Sequence, residues 1–365
     1  MTSAIARLND FGQSPWYDNL ARPLLSGGGL QTLIADDGIR GVTSNPTILE
    51  KAIGAGAGYD EQLAACAREG HSIEATYWEV VLADIVTAAD LLRPVYDATK
   101  GGDGFVSIEV SPDLAHDTEG TKELAQSLFD RVARPNVMIK IPATLEGITA
   151  IEDSIAAGIN VNVTLIFALD RHRLVIDAYQ KGLERFADAG GDVARVSSVA
   201  SFFVSRVDTE TDRRLPEDSP LRGHAAVANA KLAYQLFRDQ FRGVRWEALS
   251  ARGGRLQRPL WASTSTKNPA YSSTLYVDEL IGPDTVNTLA PASIEALQRG
   301  EGRPRAGTVA EGLDDAERVM HDLAAAGVVF ADVTDVLERE GVDAFAASFH
   351  DALSTIEKRR AELSP

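Results

Sequence analysis

Segments that read as β-strands alternate about eight times along the sequence with segments that read as α-helices. Strands are indicated by apolar residues at every second position, and helices by apolar residues three or four positions apart. This alternation calls for a parallel sheet whose faces are covered by helices. At 365 residues, an α/β fold of the (β/α)8 TIM-type barrel class is the expected architecture, with a doubly wound open sheet as the alternative. The predicted strands are 14–18, 38–46, 105–110, 136–144, 160–167, 194–203, 259–263 and 286–289.

Helical spacing fills most of the stretches between these strands and continues to the C-terminal end. The charged, proline-containing stretch 205–223 is predicted to be a loop, and residues 313–365 are predicted to be a helical extension packed on the barrel. Because no repeat, low-complexity tract or linker divides the chain, residues 1–365 are expected to form a single domain. The predicted helices are 22–35, 72–99, 118–133, 144–157, 170–189 and 225–241. The core stripe of the last helix is expected to consist of Phe345, Phe349, Leu353 and Ile356.

The charge balance excludes several classes of partner. Thirty-six basic and 53 acidic residues give a formal net charge of −17, which disfavours binding to nucleic acid or to an anionic membrane. Cys66 is the only cysteine, so an internal disulfide is impossible and a reducing compartment is favoured. The N-terminus lacks the apolar segment of a signal peptide, and no stretch is apolar and long enough to span a membrane. We therefore expect a cytoplasmic protein.

The strand 136–144 (NVMIKIPAT) carries a lysine in an unusual place. Side chains alternate along a strand, so Met138 and Lys140 share the face opposite Ile139. If both faces are covered, Lys140 points into the interior, where lysine is rarely found without a partner. A desolvated amine loses its proton more readily and can then form a Schiff base with a carbonyl compound. The alternative is a strand-end lysine whose ammonium group reaches water along its own stem.

Neighbouring strands place further polar side chains on the same face as Lys140. Alternation puts Glu109 on the inner face of its strand and Asn162 and Thr164 on the inner face of another. In a barrel that face is the lumen, and the active site lies at the C-terminal ends of the strands. Glu109 could instead be only an ion-pair partner of Lys140, and Asn162 and Thr164 could satisfy each other.

Two more polar residues lie at the ends of the first two strands. Asp18 ends the first strand, and Asn45 lies at the end of the second, before Pro46. A lysine close to carboxylates, amides and hydroxyls suits Schiff-base chemistry on a polyol, which needs a nucleophilic amine, a proton shuttle and hydrogen-bond donors. Asp18 could instead cap a helix, and Asn45 could be a turn residue.

A binding site for an anion is indicated at the ends of two later strands. One strand ends in the stretch from Ser201 to Arg206, and the next ends in the stretch from Ser263 to Lys267. Neighbouring strands that each end in a hydroxyl and a cation suit a phosphate group, and barrels often hold phosphate on their late loops. The six histidines form no metal-binding spacing, so no metal is expected. Gly54, Gly56 and Gly58 follow a helix-like stretch and not a strand, so no nucleotide cofactor is expected either.

Six stretches of the sequence resemble the transaldolase family, in the family's order and over nearly the whole chain. They are GVTSNPTILEKAI, VSIEV, IKIPAT, INVNVTLIF, SFFVSR and LWASTSTKNP. The chain is similar to the longer bacterial branch with a C-terminal helical extension. The resemblance implies a (β/α)8 barrel that transfers a dihydroxyacetone unit from fructose 6-phosphate or sedoheptulose 7-phosphate. The acceptor would be erythrose 4-phosphate or glyceraldehyde 3-phosphate, in the non-oxidative pentose phosphate pathway.

The resemblance also implies a role for each candidate residue. Lys140 would form the Schiff base, and Asp18 would be the general acid and base at the carbon–carbon bond that breaks. Glu109 and Thr164 would handle the water lost and gained at the Schiff base. The residues implied to bind substrate are Asn45, Asn162 and Ser201 at the dihydroxyacetone unit, and Arg206 and Ser263 near the phosphate.

One position departs from the family's pattern. Many relatives carry a second arginine shortly after the serine of the seventh strand. This chain instead has Lys267, which lies four positions after Ser263. We expect Lys267 to replace that arginine, as a point charge instead of a bidentate fork.

The sequence is compatible with two other functions. A lyase would use the same barrel and lysine but would release free dihydroxyacetone. A non-catalytic sugar-phosphate sensor would keep Arg206 and Lys267 but would not need Lys140 beside Glu109. The expected partners are small sugar phosphates, and the chain is expected to be a monomer or a homodimer.

Overall fold

The architecture is a closed barrel of parallel strands, as predicted. A computed structural model describes residues 3–56 and 58–363. Within these residues eight strands pair in sequence order, and the last pairs with the first. The (β/α)8 prediction is therefore confirmed, and the open sheet is excluded. The strands are β1 (Gln13–Asp18), β2 (Gly41–Thr43), β3 (Phe105–Glu109), β4 (Val137–Pro142), β5 (Val161–Ile166), β6 (Ser198–Phe203), β7 (Arg258–Ala262) and β8 (Thr285–Leu289).

Helices surround the barrel and continue beyond its last strand. The six predicted helices are all present with similar bounds, although 22–35 is divided in two at Gly27 and Gly28. Those ahead of β5 are α1 (Ala6–Asp10), α2 (Arg22–Ser26), α3 (Gly29–Asp36), α4 (Pro46–Gly54), α5 (Asp60–Arg68), α6 (Ile73–Ala98), α7 (Thr118–Val132) and α8 (Leu145–Ala156). Those after β5 are α9 (Leu169–Asp188), α10 (Ser205–Arg213), α11 (Ala225–Gln240), α12 (Val244–Ala251), α13 (Leu275–Glu279), α14 (Pro291–Gln298), α15 (Leu313–Ala325) and α16 (Phe330–Leu363).

The prediction of a loop at 205–223 was wrong in its first half. Residues Ser205–Arg213 form α10, whose buried face is mainly polar. Asp208 and Asp212 are buried on this face because tyrosine hydroxyl and backbone N–H groups donate to their carboxylates. A helix that buries carboxylates has no apolar stripe for a sequence pattern to detect.

Strand β6 is shorter than predicted. It begins at Ser198, and residues Val193–Arg195 form a 3-10 turn whose start is capped by Asp192. The side-chain oxygen of Asp192 accepts a hydrogen bond from the backbone N–H of Ala194. This local bond draws the backbone into a turn at a point where the apolar residues alone suggested an extended chain.

The end of the barrel remote from the strand C-termini is closed by a network around Asp103. The Trp16 indole N–H donates to the Asp103 carboxylate at 2.8 Å, and Arg258 forms an ion pair with it at 3.3 Å. Ser14 also donates to this carboxylate. Beside it, Gly41 is required because a Cβ atom there would lie 2.5 Å from the Trp16 ring. Buried, fully partnered groups of this kind fix the register of the first strands.

The last helix packs across the opposite end of the barrel. On α16, Phe349, Ala352 and Ile356 are buried, whereas Phe345 and Leu353 are only partly buried. The helix is tied to the N-terminal part of the chain by a bidentate ion pair between Arg359 and Asp60, at 2.7 and 2.9 Å. The predicted core stripe is thus apolar and inward-facing, but Phe345 borders the cavity that Lys140 also lines.

Two further properties bear on function. No helix within residues 3–56 and 58–363 is both long enough and apolar enough to cross a membrane. The same residues contain no group of three or more His, Cys, Asp or Glu side chains arranged to hold a metal ion.

Candidate active site

Three of the predicted site residues lie side by side in the register of the barrel. Glu109 of β3 is the pairing partner of Lys140 of β4, and Lys140 is the partner of Asn162 of β5. Thr164 follows two residues later, opposite Pro142. Paired residues of neighbouring parallel strands project from the same face. The register therefore gathers these side chains in the upper lumen.

Lys140 and Glu109 form a buried ion pair. The Lys140 Nζ lies 2.9 Å from Glu109 Oε1, and the two side chains are 8% and 10% exposed. Nζ also lies 3.5 Å from the Ser44 carbonyl oxygen and 5.4 Å from the centre of the Phe345 ring. Burial raises the pKa of the Glu109 carboxyl, and the nearby Asp18 charge adds to that rise, while Lys140 opposes it. This carboxylate is therefore a stronger proton acceptor than an exposed glutamate.

Several polar atoms in and beside this ion pair lack a hydrogen-bond partner. Apart from Nζ of Lys140, neither Glu109 oxygen has a hydrogen-bond donor among the described residues, and the buried Thr164 hydroxyl has no partner there either. Glu109 and Thr164 line a small cavity of about 20 Å³, which Phe345 also borders. That volume and the unpaired polar groups suit one water molecule.

Asp18 is held by a chain of hydroxyl groups. The Thr43 hydroxyl donates to Asp18 Oδ1 at 2.7 Å, and it lies 2.7 Å from the Thr288 hydroxyl. Because Thr43 has only one hydroxyl hydrogen, Thr288 must be the donor in the second bond. The three residues come from β1, β2 and β8, so the closing strands of the barrel together orient this carboxylate.

The two asparagines are held in different ways. Asn45 caps α4, since its Oδ1 accepts a hydrogen bond from the backbone N–H of Ile48 at 3.2 Å. Its Nδ2 donates to no other residue in the described part of the chain. Asn162 is completely buried, donates to Ser107 at 3.0 Å and accepts from Ser201 at 2.7 Å.

A cationic region lies at the other side of the site. Ser205, the first residue of α10, and Ser263, after β7, are joined through their hydroxyl groups at 2.9 Å. Arg206 packs on Phe203, with its guanidinium carbon 5.3 Å from the ring centre, and burial lowers the pKa of Arg206. Arg206 has no ion pair or hydrogen bond with any residue of 3–56 and 58–363. Lys267 is exposed, and its Nζ lies 3.4 Å from the Ser265 hydroxyl.

These groups share one cavity of about 180 Å³. Eight of the ten predicted site residues line it, and they are Asp18, Asn45, Lys140, Thr164, Ser201, Arg206, Ser263 and Lys267. The other two, Glu109 and Asn162, lie behind the wall, in contact with Lys140 and Ser201. The structure therefore brings all ten into one region, eight at its surface and two directly beneath it.

The backbone adopts left-handed conformations at two points around the cavity. Leu165, after Thr164, has φ of +60°, and Ser263 has φ of +57°. Residues other than glycine rarely adopt this conformation, and those that do are often found at functional sites. The pairing of β5 with β6 also shifts register between Val163 and Ile166.

Three residues of the site were not found from the sequence. Thr43 ends β2 in the stretch GVTSNP, where only Asn45 was singled out, although its pairing with Asp18 would have suggested it. Thr288 lies in β8, which is short and has a weak alternation of apolar and polar residues. The sequence therefore did not indicate which of its side chains point into the barrel. Phe345 read as a core residue, because helical spacing does not distinguish a barrel mouth from a core.

Comparison with known proteins gives an independent result. Residues 15–356 match the family described as Transaldolase/Fructose-6-phosphate aldolase. A protein named Transaldolase 2 from Streptomyces avermitilis is 46% identical over 370 residues, covering 100% of this chain and 99% of that protein. Proteins named Transaldolase are 48% identical in Saccharopolyspora erythraea (98% of each chain) and in Thermobifida fusca (99% of each chain). The chain belongs to the transaldolase/fructose-6-phosphate aldolase family.

Proposed function

We propose that the chain is a transaldolase that works through a Schiff base at Lys140. It takes a dihydroxyacetone unit from fructose 6-phosphate or sedoheptulose 7-phosphate and passes it to erythrose 4-phosphate or glyceraldehyde 3-phosphate. The observation that carries the proposal is the Lys140–Glu109 pair, 2.9 Å apart, whose lysine faces a cavity that the Arg206 side chain also lines. Side chains supply every proton transfer in this scheme, and the proposal includes no metal or nucleotide cofactor.

The first step is attack by the Lys140 amine on the ketone carbon of the substrate. Proton transfer from Nζ to Glu109 turns the ion pair into a neutral amine and a neutral acid without separating charge in the buried site. Loss of water from the carbinolamine then gives the protonated imine. We assign the handling of that water to Glu109 and Thr164, because both have unpaired atoms at the 20 Å³ cavity.

The second step is cleavage of the carbon–carbon bond that lies one carbon away from the imine carbon. Asp18 removes the proton from the hydroxyl group on the carbon that will leave as the aldehyde. The bond then breaks, and its electron pair moves into the imine to form an enamine. The aldehyde product leaves, and the enamine carbon attacks an acceptor aldehyde. Asp18 returns the proton to the new hydroxyl. The donated bond from Thr43 holds the carboxylate in place through both half-reactions.

Amide and hydroxyl groups bind the transferred unit. The capping bond to Ile48 fixes Asn45, so that its Nδ2 remains available to a substrate hydroxyl. The Ser201 hydroxyl lines the cavity and is oriented by Asn162, which accepts its hydrogen bond from behind the cavity wall. Fixed donors of this kind position the ketone carbon at the amine.

The phosphate group binds at the cationic region. Arg206 forms no close ion pair with a carboxylate of the described residues, and the Glu340 charge acts on it only from a longer distance. A largely buried cation without a partner is costly, and an anionic substrate would satisfy it. Ser263 adds a hydroxyl donor and Lys267 a second positive charge at the exposed edge.

Borohydride trapping tests the proposal. We expect fructose 6-phosphate and borohydride to inactivate the protein and to add a reduced dihydroxyacetone unit to the peptide that contains Lys140. Lys140→Ala should not be modified and should retain its fold. Lys267→Ala removes a different lysine of the same cavity and should still be modified at Lys140, which makes it the matched control. Turnover by Lys140→Ala would refute the mechanism.

An acceptor assay separates the transferase from the two alternatives. A transaldolase consumes fructose 6-phosphate rapidly only when an acceptor aldehyde is present, whereas a lyase releases free dihydroxyacetone without one. A sensor would bind the sugar but form no adduct at Lys140. The buried ion pair favours catalysis, because phosphate binding at Arg206 and Lys267 does not need it.

A further inference from the structure

Lys267 lies in the loop 263–274, which joins β7 to α13. Its side chain is exposed, and its only hydrogen bond among the described residues is with the Ser265 hydroxyl, at 3.4 Å. It lines both the 180 Å³ catalytic cavity and a second cavity of about 400 Å³. The ammonium group therefore has room to face either cavity, and its position depends on how the loop is held.

The beginning of this loop is fixed to two neighbouring elements. The Ser205 N–H, at the start of α10, donates to the Ser263 carbonyl oxygen at 3.0 Å, in addition to the contact between their hydroxyl groups. The buried Thr264 hydroxyl donates to Asn287 Oδ1 of β8 at 2.9 Å. These bonds hold the first residues of the loop on the barrel.

A tyrosine–aspartate hydrogen bond fixes the loop a second time, beyond Lys267. The Tyr271 hydroxyl donates to Asp212 Oδ2 at 2.6 Å, and the Gly223 N–H donates to Oδ1 of the same carboxylate at 3.0 Å. Asp212 lies in α10 and is 6% exposed. The Tyr271 ring packs directly on Gly223, where a Cβ atom would lie 2.7 Å from it. The tyrosine hydroxyl thus meets an acceptor that is itself buried and held in place.

A tight turn connects Lys267 to this bond. The Tyr271 N–H donates to the Asn268 carbonyl oxygen at 3.1 Å, and the Ala270 N–H donates to the Asn268 side chain at 3.0 Å. Lys267 directly precedes the turn, so a change in the position of Tyr271 reaches Lys267 through a segment that is itself hydrogen-bonded.

Both fixed points lie on α10, the helix that also carries Arg206. Ser205 and Asp212 are about two turns apart on this helix. The loop therefore runs beside α10 and holds Lys267 at a set distance from the Arg206 guanidinium. Without the bond between Tyr271 and Asp212, only the beginning of the loop would be fixed, and that distance would vary.

We propose that Tyr271 is a positioning residue for the phosphate group of the substrate, because its hydrogen bond to Asp212 holds Lys267 at the catalytic cavity. This inference rests on the proposed function, which places the phosphate at Arg206 and Lys267. Tyr271 lines the 400 Å³ cavity and not the catalytic one, so it acts on the substrate only through the loop. A cation that is held in advance binds more tightly, because less conformational freedom is lost on binding.

The test is Tyr271→Phe, which keeps the ring and removes only the hydroxyl group. We expect KM for fructose 6-phosphate to rise about two- to tenfold, the effect of leaving one long side chain to be immobilised on binding, with kcat nearly unchanged. Inorganic phosphate is a second probe, since it fills the phosphate site without forming an imine. Its inhibition constant against fructose 6-phosphate should rise by the same factor.

A double variant shows whether the effect passes through Lys267. In a Lys267→Ala background, Tyr271→Phe should cause no further rise in KM or in the inhibition constant, because the group that it positions is gone. Independent effects of the two substitutions would multiply instead.

Tyr276→Phe is the matched control. The Tyr276 hydroxyl donates to Asp208 of the same helix at 2.8 Å, and Tyr276 lines the same 400 Å³ cavity, but it lies in α13, after the loop has ended. This variant loses the same kind of bond and should leave KM and the inhibition constant unchanged, even where its melting temperature falls.

Three results would overturn the inference. Tyr271→Phe could bind fructose 6-phosphate and inorganic phosphate like the unaltered protein, it could act equally in the Lys267→Ala background, or Tyr276→Phe could raise KM as much. Failure of borohydride trapping at Lys140 in the unaltered protein would instead refute the proposed function.

Discussion

Glu109 and Lys140 are pairing partners on neighbouring strands, and their charged atoms lie 2.9 Å apart. The barrel register alone brings them together, without a loop or a flexible segment. Removing one member of a buried pair leaves the other without compensation, so the site depends on both. The pair is therefore the first place to test the chemistry.

Glu109→Gln should slow Schiff-base formation, because glutamine keeps the shape of the side chain but cannot accept the proton from Lys140. A loss of about 10²- to 10⁴-fold in kcat is expected, with a smaller change in KM. Rapid borohydride trapping measures the step directly. Glu338→Gln breaks an ion pair at the barrel mouth and serves as the control. A trapping rate equal to that of the unaltered protein would contradict this role for Glu109.

Arg206→Met should raise KM for phosphorylated sugars more than it lowers kcat. A lost charged hydrogen bond costs about 1.5–3 kcal/mol, or roughly 10- to 150-fold in kcat/KM. Because Arg206 makes no ion pair or hydrogen bond with the described residues and Glu340 acts on it only from a longer distance, the variant should lose little thermal stability. Lys267→Ala should also raise KM, by less, because Lys267 is exposed.

Arg245→Met is the control for this experiment, since Arg245 pairs with Asp177 and Glu184 away from the site. It should lower stability and leave KM unchanged. An unchanged KM in both Arg206→Met and Lys267→Ala would place the phosphate elsewhere.

Thr43→Val should slow carbon–carbon bond cleavage and leave imine formation intact. Valine has nearly the same shape but cannot donate to Asp18 Oδ1. We expect about a tenfold loss in kcat, the effect of one hydrogen bond to a charged group. Single-turnover release of the aldehyde, compared with the rate of trapping, separates the two steps. Equal slowing of both steps would show that Thr43 acts on the fold and not on Asp18.

Asp208 should make stability depend on pH. It is 1% exposed and accepts hydrogen bonds from the Ala226 N–H at 2.7 Å and the Tyr276 hydroxyl at 2.8 Å. Burial raises the pKa of Asp208 from 3.8 to about 6 despite these bonds, with Asp212 adding to the rise and His224 opposing it. Between these values the folded chain holds a proton that the unfolded chain has released.

Asp208 therefore contributes stability at low pH that is lost as the pH rises from about 4 to 6. The full contribution is about 3 kcal/mol. Thermal unfolding at several pH values should show this slope in the unaltered protein and a shallower one in Asp208→Asn. The same slope in both proteins would contradict the assignment.

The chain should unfold as one unit. Arg359 of α16 binds Asp60, and Ile356 is fully buried, so the last helix shares the core of the barrel. We expect calorimetry and circular dichroism to report one transition at the same temperature. Two separated transitions would instead indicate that residues 313–365 are an independent unit.

The alternation of residues along the strands predicted most of the fold and the central part of the site. In β3, β4 and β5 one face is apolar and the other polar, and this pattern alone indicated that Glu109, Lys140 and Asn162 share an interior. The same reasoning missed α10, whose buried face carries carboxylates, and Phe345, whose neighbour Lys140 lies about two hundred residues earlier in the sequence. A pattern along one segment does not reveal which distant segment covers it.

The position of α16 also orders events during synthesis. All eight strands precede this helix in the chain, so a nascent polypeptide emerging from the ribosome can complete the ring of strands before Phe345 has been made. In that interval the lysine is in place but open to solvent. The newly made protein would gain its nucleophile first, and the last helix would cover the mouth of the cavity only later.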